Sequence, residues 1–326
     1  MPGACSTETS TASSASTCSS RHAIGHSRGV RRLLGSICVL VTVVAAPAAA
    51  QVGGTDLAPW PEALPAADVP NEAQARGVEH CRQARVRCVA GLARRLKRQF
   101  KRFDASCDHR AVISYSYLQI TRGLLADMRG PRPGLVRHRR YMAYLITNFS
   151  NRYFRAFRNN ARGRPVTRAW QITFDTAAES DAQAGQEVML FSNVHVQHDL
   201  PFAYEKMGIE TRSGRSRKPD HDAVNEINAR VFDGIEKYIA AHYDPSFGLI
   251  DIPFVPAEEV AALELVKSWR EQAWRSAERL LAADSPQERA EVAATIRETS
   301  TRWAEMISSG STPGYREIRD EYCRTH

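Results

Sequence analysis

Three side chains able to hold a metal ion or move a proton, His195, His198 and Asp199, crowd into the run Val188-Met-Leu-Phe-Ser-Asn-Val-His-Val-Gln-His-Asp-Leu-Pro-Phe202. On a helix, offsets of three and four place them along one face with Val188, Phe191 and Phe202. Met189, Leu190, Val194, Val196 and Leu200 occupy most of the remaining circumference, which predicts a helix buried nearly all round. A buried carboxylate is costly unless it is paired, hydrogen-bonded or metal-bound, so Asp199 must have a partner.

His195 and Asp199 form an H-x-x-x-D pair, and at that spacing an imidazole nitrogen and a carboxylate oxygen can reach one divalent ion, zinc being the best match to the two donor types. A plain His–Asp hydrogen bond in a core is the competing reading. His198 is a candidate to complete the ligand shell or to act as base. Pro201 removes the amide that would bond the carbonyl of Gln197, so a kink is expected beside the pair. Farther on, Asp222, Asn225 and Glu226 share a helix face opposite Val224, Ile227 and Val231, the pattern of an ordinary solvated stripe. Asp222 also sits in a first turn, where the helix dipole favours a carboxylate without further role. For Asp222 and Asn225 to join His195 in catalysis, that helix has to dock with its polar face inward.

The elements that must position these groups are helical throughout. Apolar periodicity predicts helices over about 71–103, 108–128, 136–159 and 167–180, the central run from about 181, then 220–242, 257–283 and 286–308. Gly130-Pro-Arg-Pro-Gly134 and the Gly163/Pro165 pair separate three of them. No strand-period alternation, internal repeat or glycine-rich phosphate loop is present. The expected fold is all-α: a single multi-helix domain over residues 72–308, packed round the buried central helix, with a loose tail over 309–326 that Cys323 can anchor.

The first fifty residues stand apart. Arg28, Arg31 and Arg32 precede an apolar stretch from Leu33 to Ala46 and then Pro47-Ala-Ala-Ala50, the basic, apolar and small-residue order of a secretory signal behind a long leader. An uncleaved anchor through residues 33–50 is the alternative. Residues 51–71, rich in Pro and Gly, read as an extended linker. Cleavage after Ala50 leaves Cys81, Cys88, Cys107 and Cys323, an even number that suits two disulfides outside the cytoplasm. Cys81 and Cys88 cannot pair within one continuous helix, because seven residues rise about 10.5 Å. The net charge of +8 is concentrated early; between Arg76 and Arg102 the only acid is Glu79. Such a segment could attract an anionic small molecule, a lipid or a membrane surface. Its arginines read as spread round the helix with no interleaved aromatics, which favours a solvated face and disfavours nucleic acid.

Several segments together resemble an uncharacterised bacterial family known only as a domain of unknown function. They are Tyr117-Leu-Gln-Ile-Thr-Arg122, Asn148 with Tyr153-Phe154, Asn193-Val-His-Val-Gln-His-Asp-Leu-Pro201, Asp222-Ala-Val-Asn225 and Trp269-Arg-Glu-Gln-Ala-Trp-Arg-Ser-Ala277. The resemblance implies that Asn193, His195, Asp199, Asp222 and Asn225 belong to one recurring constellation; it carries no activity. The H-x-x-x-D helix and its proline are also distantly similar to the all-helical zinc-dependent phospholipase C and P1-type nuclease group, although the further histidines of that group have no counterparts here. Three functions follow as expectations. The first is an exported metal-assisted hydrolase of phosphate or other esters, with His195 and Asp199 on the ion and His198, Asp222 and Asn225 around it. The second is a non-catalytic module binding lipid, envelope or partner, and the third an acyltransferase using His195 as base.

Overall fold

The computed structural model describes residues 81, 85–131, 134–179, 181–247 and 259–326. The expected signal, the linker and the irregular stretch expected at 245–256 lie wholly or mostly outside them. The fold is all-α. In chain order the helices are α1 Val86–Asp104, α2 Arg110–Arg129, α3 Arg139–Asn160, α4 Arg168–Glu179, α5 Ala184–Ser192, α6 Leu200–Met207, α7 Lys218–His242, α8 Glu259–Ala282, α9 Pro286–Ser308 and α10 Tyr315–Thr325. Between α5 and α6 the backbone widens into a π-type turn over Asn193–Asp199. Among the described residues there is no strand, only an isolated antiparallel pairing of Glu210 with Ser216. No helix among them is long and apolar enough to cross a membrane.

The central run is buried as its composition requires: Met189, Leu190, Phe191, Val194 and Leu200 are all in the core. The wide turn packs against α8, α9 and α3, while α6 lies along α8 and α3. Tyr117, Tyr153, Trp170, Phe149 and Phe191 gather round this centre, so one aromatic cluster joins α2, α3, α4 and α5. On the far side α2 meets α7 closely. A Cβ on Gly123 would stand 2.9 Å from Val231 and 3.0 Å from Ile227, closer than side-chain carbons tolerate. Gly208, at φ 76°, ends α6 in a conformation costly to other residues, and its carbonyl accepts from the Tyr141 hydroxyl at 2.6 Å.

Three boundaries differ from the sequence reading. Helix α1 begins at Val86 after an extended Arg85, not near Asn71. Cys81 therefore lies outside the helix, and Cys81 and Cys88 are bonded with Cα atoms 5.3 Å apart. The rise that forbids this pair applies only to a continuous helix. Helix α7 starts at Lys218, and Asp220 turns away from helix capping to accept from the backbone amides of Arg137 and His138. The tail after residue 309 is helical as α10, held by the Cys107–Cys323 disulfide and by Arg319, whose guanidinium is fully buried against Glu187 at 2.8 Å and Asp244 at 3.7 Å. Burial pushes the Glu187 carboxyl up to about 7 even with Arg319 opposing. The two bridges suit an oxidising compartment.

Candidate functional site

Pro201 lacks the amide an α-turn would need, and the chain answers by opening the preceding turn. That opening carries five buried polar side chains. Asn193 donates to the carbonyl of Ser300 at 2.8 Å, and Gln197 donates back to Asn193 at 2.8 Å, tying the turn to α9. His195 Nδ1 lies 3.0 Å from Asp199 Oδ2, and His198 Nδ1 lies 2.9 Å from Asp199 Oδ1. The other ring nitrogen of His195, Nε2, is 3.0 Å from the Tyr117 hydroxyl. Its ring stacks on Phe149 at 3.6 Å, with Tyr117, Phe191 and Trp170 around it.

The charges follow from this geometry. Burial alone would raise the Asp199 carboxyl, yet hydrogen bonds from His195 and His198 more than offset it and hold it at about 2. Burial lowers His195 despite the neighbouring carboxylate, which leaves a neutral imidazole. A consistent assignment has His195 donating from Nδ1 to Asp199 and accepting at Nε2 from Tyr117. Tyr117 itself is raised by burial, so its hydroxyl keeps its proton. Both ring nitrogens of His195 are thus engaged within the protein, and only 2% of the residue is exposed. His198 and Asp199 are brought together with His195 as their spacing implied.

Asp222 and Asn225 are elsewhere. Helix α7 packs on α2 and α8, and these two residues line a cleft of about 660 Å³ between α7 and α8, with Glu226, Asn228, Glu264, Lys267 and Glu271 among the other walls. The inward docking of α7 against His195 does not occur, because its apolar side is claimed by α2. Next to Asp222 on α7 stands another buried histidine. His221 is 1% exposed, and its Nδ1 lies 2.7 Å from the Tyr204 hydroxyl. The Nε2 of His221 is buried without a hydrogen-bond partner. One nitrogen of His221 and one oxygen each of Asp222 and Glu271 lie within 4.8 Å of one another. Burial, then the nearby Arg270 and Lys218, lowers His221 well below the usual imidazole range, so its ring is neutral.

Two cations frame this trio. The Lys218 ammonium reaches Asp222 and Glu271, each at 2.6 Å. Arg270, wholly buried, donates to the His221 carbonyl at 2.6 Å and, through Nε, to Asn225 at 2.6 Å. Asn225, a lining residue of the cleft, therefore holds a buried guanidinium in place. Sequence reasoning did not single out His221 or Glu271, which lie fifty positions apart on different helices. The one available signal was the adjacency of His221 to Asp222 at the start of a helix.

The chain belongs to DUF5995, a family of unknown function, whose model matches residues 89–310. The matched span takes in both histidine clusters and stops short of α10. No curated protein and no solved structure matches the chain.

Proposed function

We propose that this protein is a metal-assisted hydrolase of phosphate or other esters, with one divalent ion held by His221, Asp222 and Glu271. The observation that carries the reading is the grouping of buried His221, whose Nε2 is unpartnered, with Asp222 and Glu271, two carboxylates that line an open cleft. One imidazole and two carboxylates suit zinc or a neighbouring divalent ion, and three protein donors leave a position open toward the cleft. The Tyr204 hydroxyl fits the supporting role, since a ligating imidazole needs an acceptor for the proton on its other nitrogen. The ion, when bound, would make its water acidic and polarise an ester oxygen.

The remaining chemistry belongs to the chain. Lys218, displaced from Asp222 and Glu271, becomes a free ammonium at the cleft wall, placed to pair with an anionic oxygen of the substrate. Arg270, fixed by Asn225 and the His221 carbonyl, keeps the histidine ring from rotating. Elemental analysis after purification without chelator should find about one equivalent of a divalent ion, by the three-donor stoichiometry of such sites. His221→Ala and Glu271→Gln should each lose it, together with metal-dependent hydrolysis of p-nitrophenyl phosphate or p-nitrophenyl acetate. A wild-type protein that neither carries nor takes up an ion ends this reading.

A second reading, a non-catalytic binding module, is favoured by the same Lys218 contacts. If the ammonium stays between the two carboxylates, the cleft is a salt-bridged wall rather than a metal centre, and the same metal analysis separates the two.

A further inference from the structure

The exposed cations of α1 form a stripe. Arg94, Lys97, Arg98, Lys101 and Arg102 are all exposed, at the spacing that lines one helix face, while Val89, Leu92, Leu96, Phe100 and Phe103 are buried on the other. Taken over all its arginines the helix reads as charged all round; sorted by exposure it is one-sided. Arg155, Arg158, Arg162 and Arg164, at and just beyond the C-terminal end of the adjacent α3, are exposed as well. None of these nine is in an ion pair among the described residues, whereas exposed cations of α7, α9 and α10 pair along their own helices. Half-buried Arg95 lies over the Phe154 ring at 3.5 Å, between the two sets. Burial, and then repulsion from Arg158 and Arg98, lowers its pKa, so the two sets act on each other as one positive field. Unrelieved repulsion of this kind opposes folding and is compensated when a negative partner arrives.

We propose that the face formed by α1 and the C-terminal end of α3 docks on an anionic lipid surface. The charge is complementary, and the two disulfides suit a compartment outside the cytoplasm, where a membrane surface is the extended anionic partner at hand. Nucleic acid is the less suited partner. Phe100 and Phe103 point into the core, and no exposed aromatic is available on α1 for base stacking. Among the described residues the only exposed large hydrophobic side chain is Ile318, on α10. Attachment through this face is therefore electrostatic and peripheral.

The test is co-sedimentation of the disulfide-intact protein with vesicles of phosphatidylcholine and phosphatidylglycerol in equal amounts, and with pure phosphatidylcholine. Binding is expected to the anionic vesicles only and to fall steeply with added salt. Combining Arg94→Gln, Lys97→Gln, Arg98→Gln and Lys101→Gln should weaken the partition about a thousandfold, by the contribution expected of each surface cation. These positions are exposed and glutamine is a good helix former, so the fold should persist, which circular dichroism checks. Removing four cations elsewhere, Arg230→Gln, Lys237→Gln, Arg302→Gln and Arg324→Gln, should leave the partition within a fewfold of the wild type. Failure to bind anionic vesicles overturns the proposal. So does equal loss in both quadruple variants, or tighter binding to a duplex oligonucleotide than to the vesicles.

Discussion

His195 and His221 make an instructive pair. Each is buried, each touches a tyrosine hydroxyl, and each stands beside a carboxylate. At His195 every valence is spent inside the core, on Asp199 at one nitrogen and Tyr117 at the other. At His221 one nitrogen has no partner, and the two carboxylates grouped with it line an open cleft. Burial and an adjacent acid are common to both, so neither marks a working site by itself. The distinguishing property is an unsatisfied donor atom grouped with carboxylates that face open space. A saturated cluster holds the fold together; an unsaturated one can take a ligand.

The sharpest way to break this contrast is to remove each ring. His195→Ala removes one of the two hydrogen bonds to the buried Asp199 carboxylate and empties an aromatic box, and should cost about 3–5 kcal/mol. The metal content should not change. His221→Ala should cost only about 1–2 kcal/mol, since Tyr204 and Arg270 keep other contacts, but should abolish metal uptake. Urea melts with elemental analysis read both quantities, and equal stability losses would collapse the distinction.

Acid should act through the saturated cluster. The Asp199 carboxyl is depressed from its ordinary 3.8 to about 2 in the folded protein. Its contribution, about 2 kcal/mol, is therefore present above pH 4 or so and lost as pH falls through about 2. His195 is depressed as well, so the unfolded chain takes up that proton first and stability begins to decline below about 6.5, the ordinary imidazole value. Melting temperatures measured down to acid pH should show both stages, and Asp199→Asn should erase the lower one.

Tyrosine hydroxyls offer a finer comparison. Tyr117→Phe leaves His195 Nε2 buried with no donor and should cost about 1–3 kcal/mol. Tyr204→Phe leaves Arg270 near His221 and should cost less than half as much, by thermal melts under identical conditions. The smallest effect on stability belongs to Lys218→Met. Its ion pairs are partly exposed, so melting should shift by no more than about 0.5 kcal/mol. Divalent-ion affinity should nevertheless rise about tenfold, because a competing ammonium is gone. Unchanged affinity would place the ion away from this trio.

Much of the fold was legible because its punctuation is chemical. Ser285 and Pro286 start α9 where they stand, with the Ser285 hydroxyl accepting from the amide of Glu288, and Gly130 closes α2. The buried central run was equally plain from its apolar circumference. The open turn before Pro201 was legible only as a disturbance, since one missing amide does not say whether the helix bends or widens. Helix α10 was missed because its anchors, Arg319 and Cys323, are residue types that read as solvent-facing or uncommitted. The trio at the cleft was beyond periodicity. Glu271 meets His221 through the packing of α8 on α7, and no local pattern encodes that meeting. The stripe on α1 was hidden for the opposite reason, since Arg95 turns inward onto Phe154 and blurs a pattern the exposed residues keep.

The bridge from Cys107 to Cys323 also imposes an order of events. It joins residues 216 positions apart, and Arg319 meets Glu187 and Asp244 only when that last helix is in place. Until α10 has been made, Glu187 and Asp244 therefore lack this counter-cation. Docking of α10 is thus a closing step, later than the making of the helices it joins. A fragment ended at residue 310, where the family match stops, would be halted before that step.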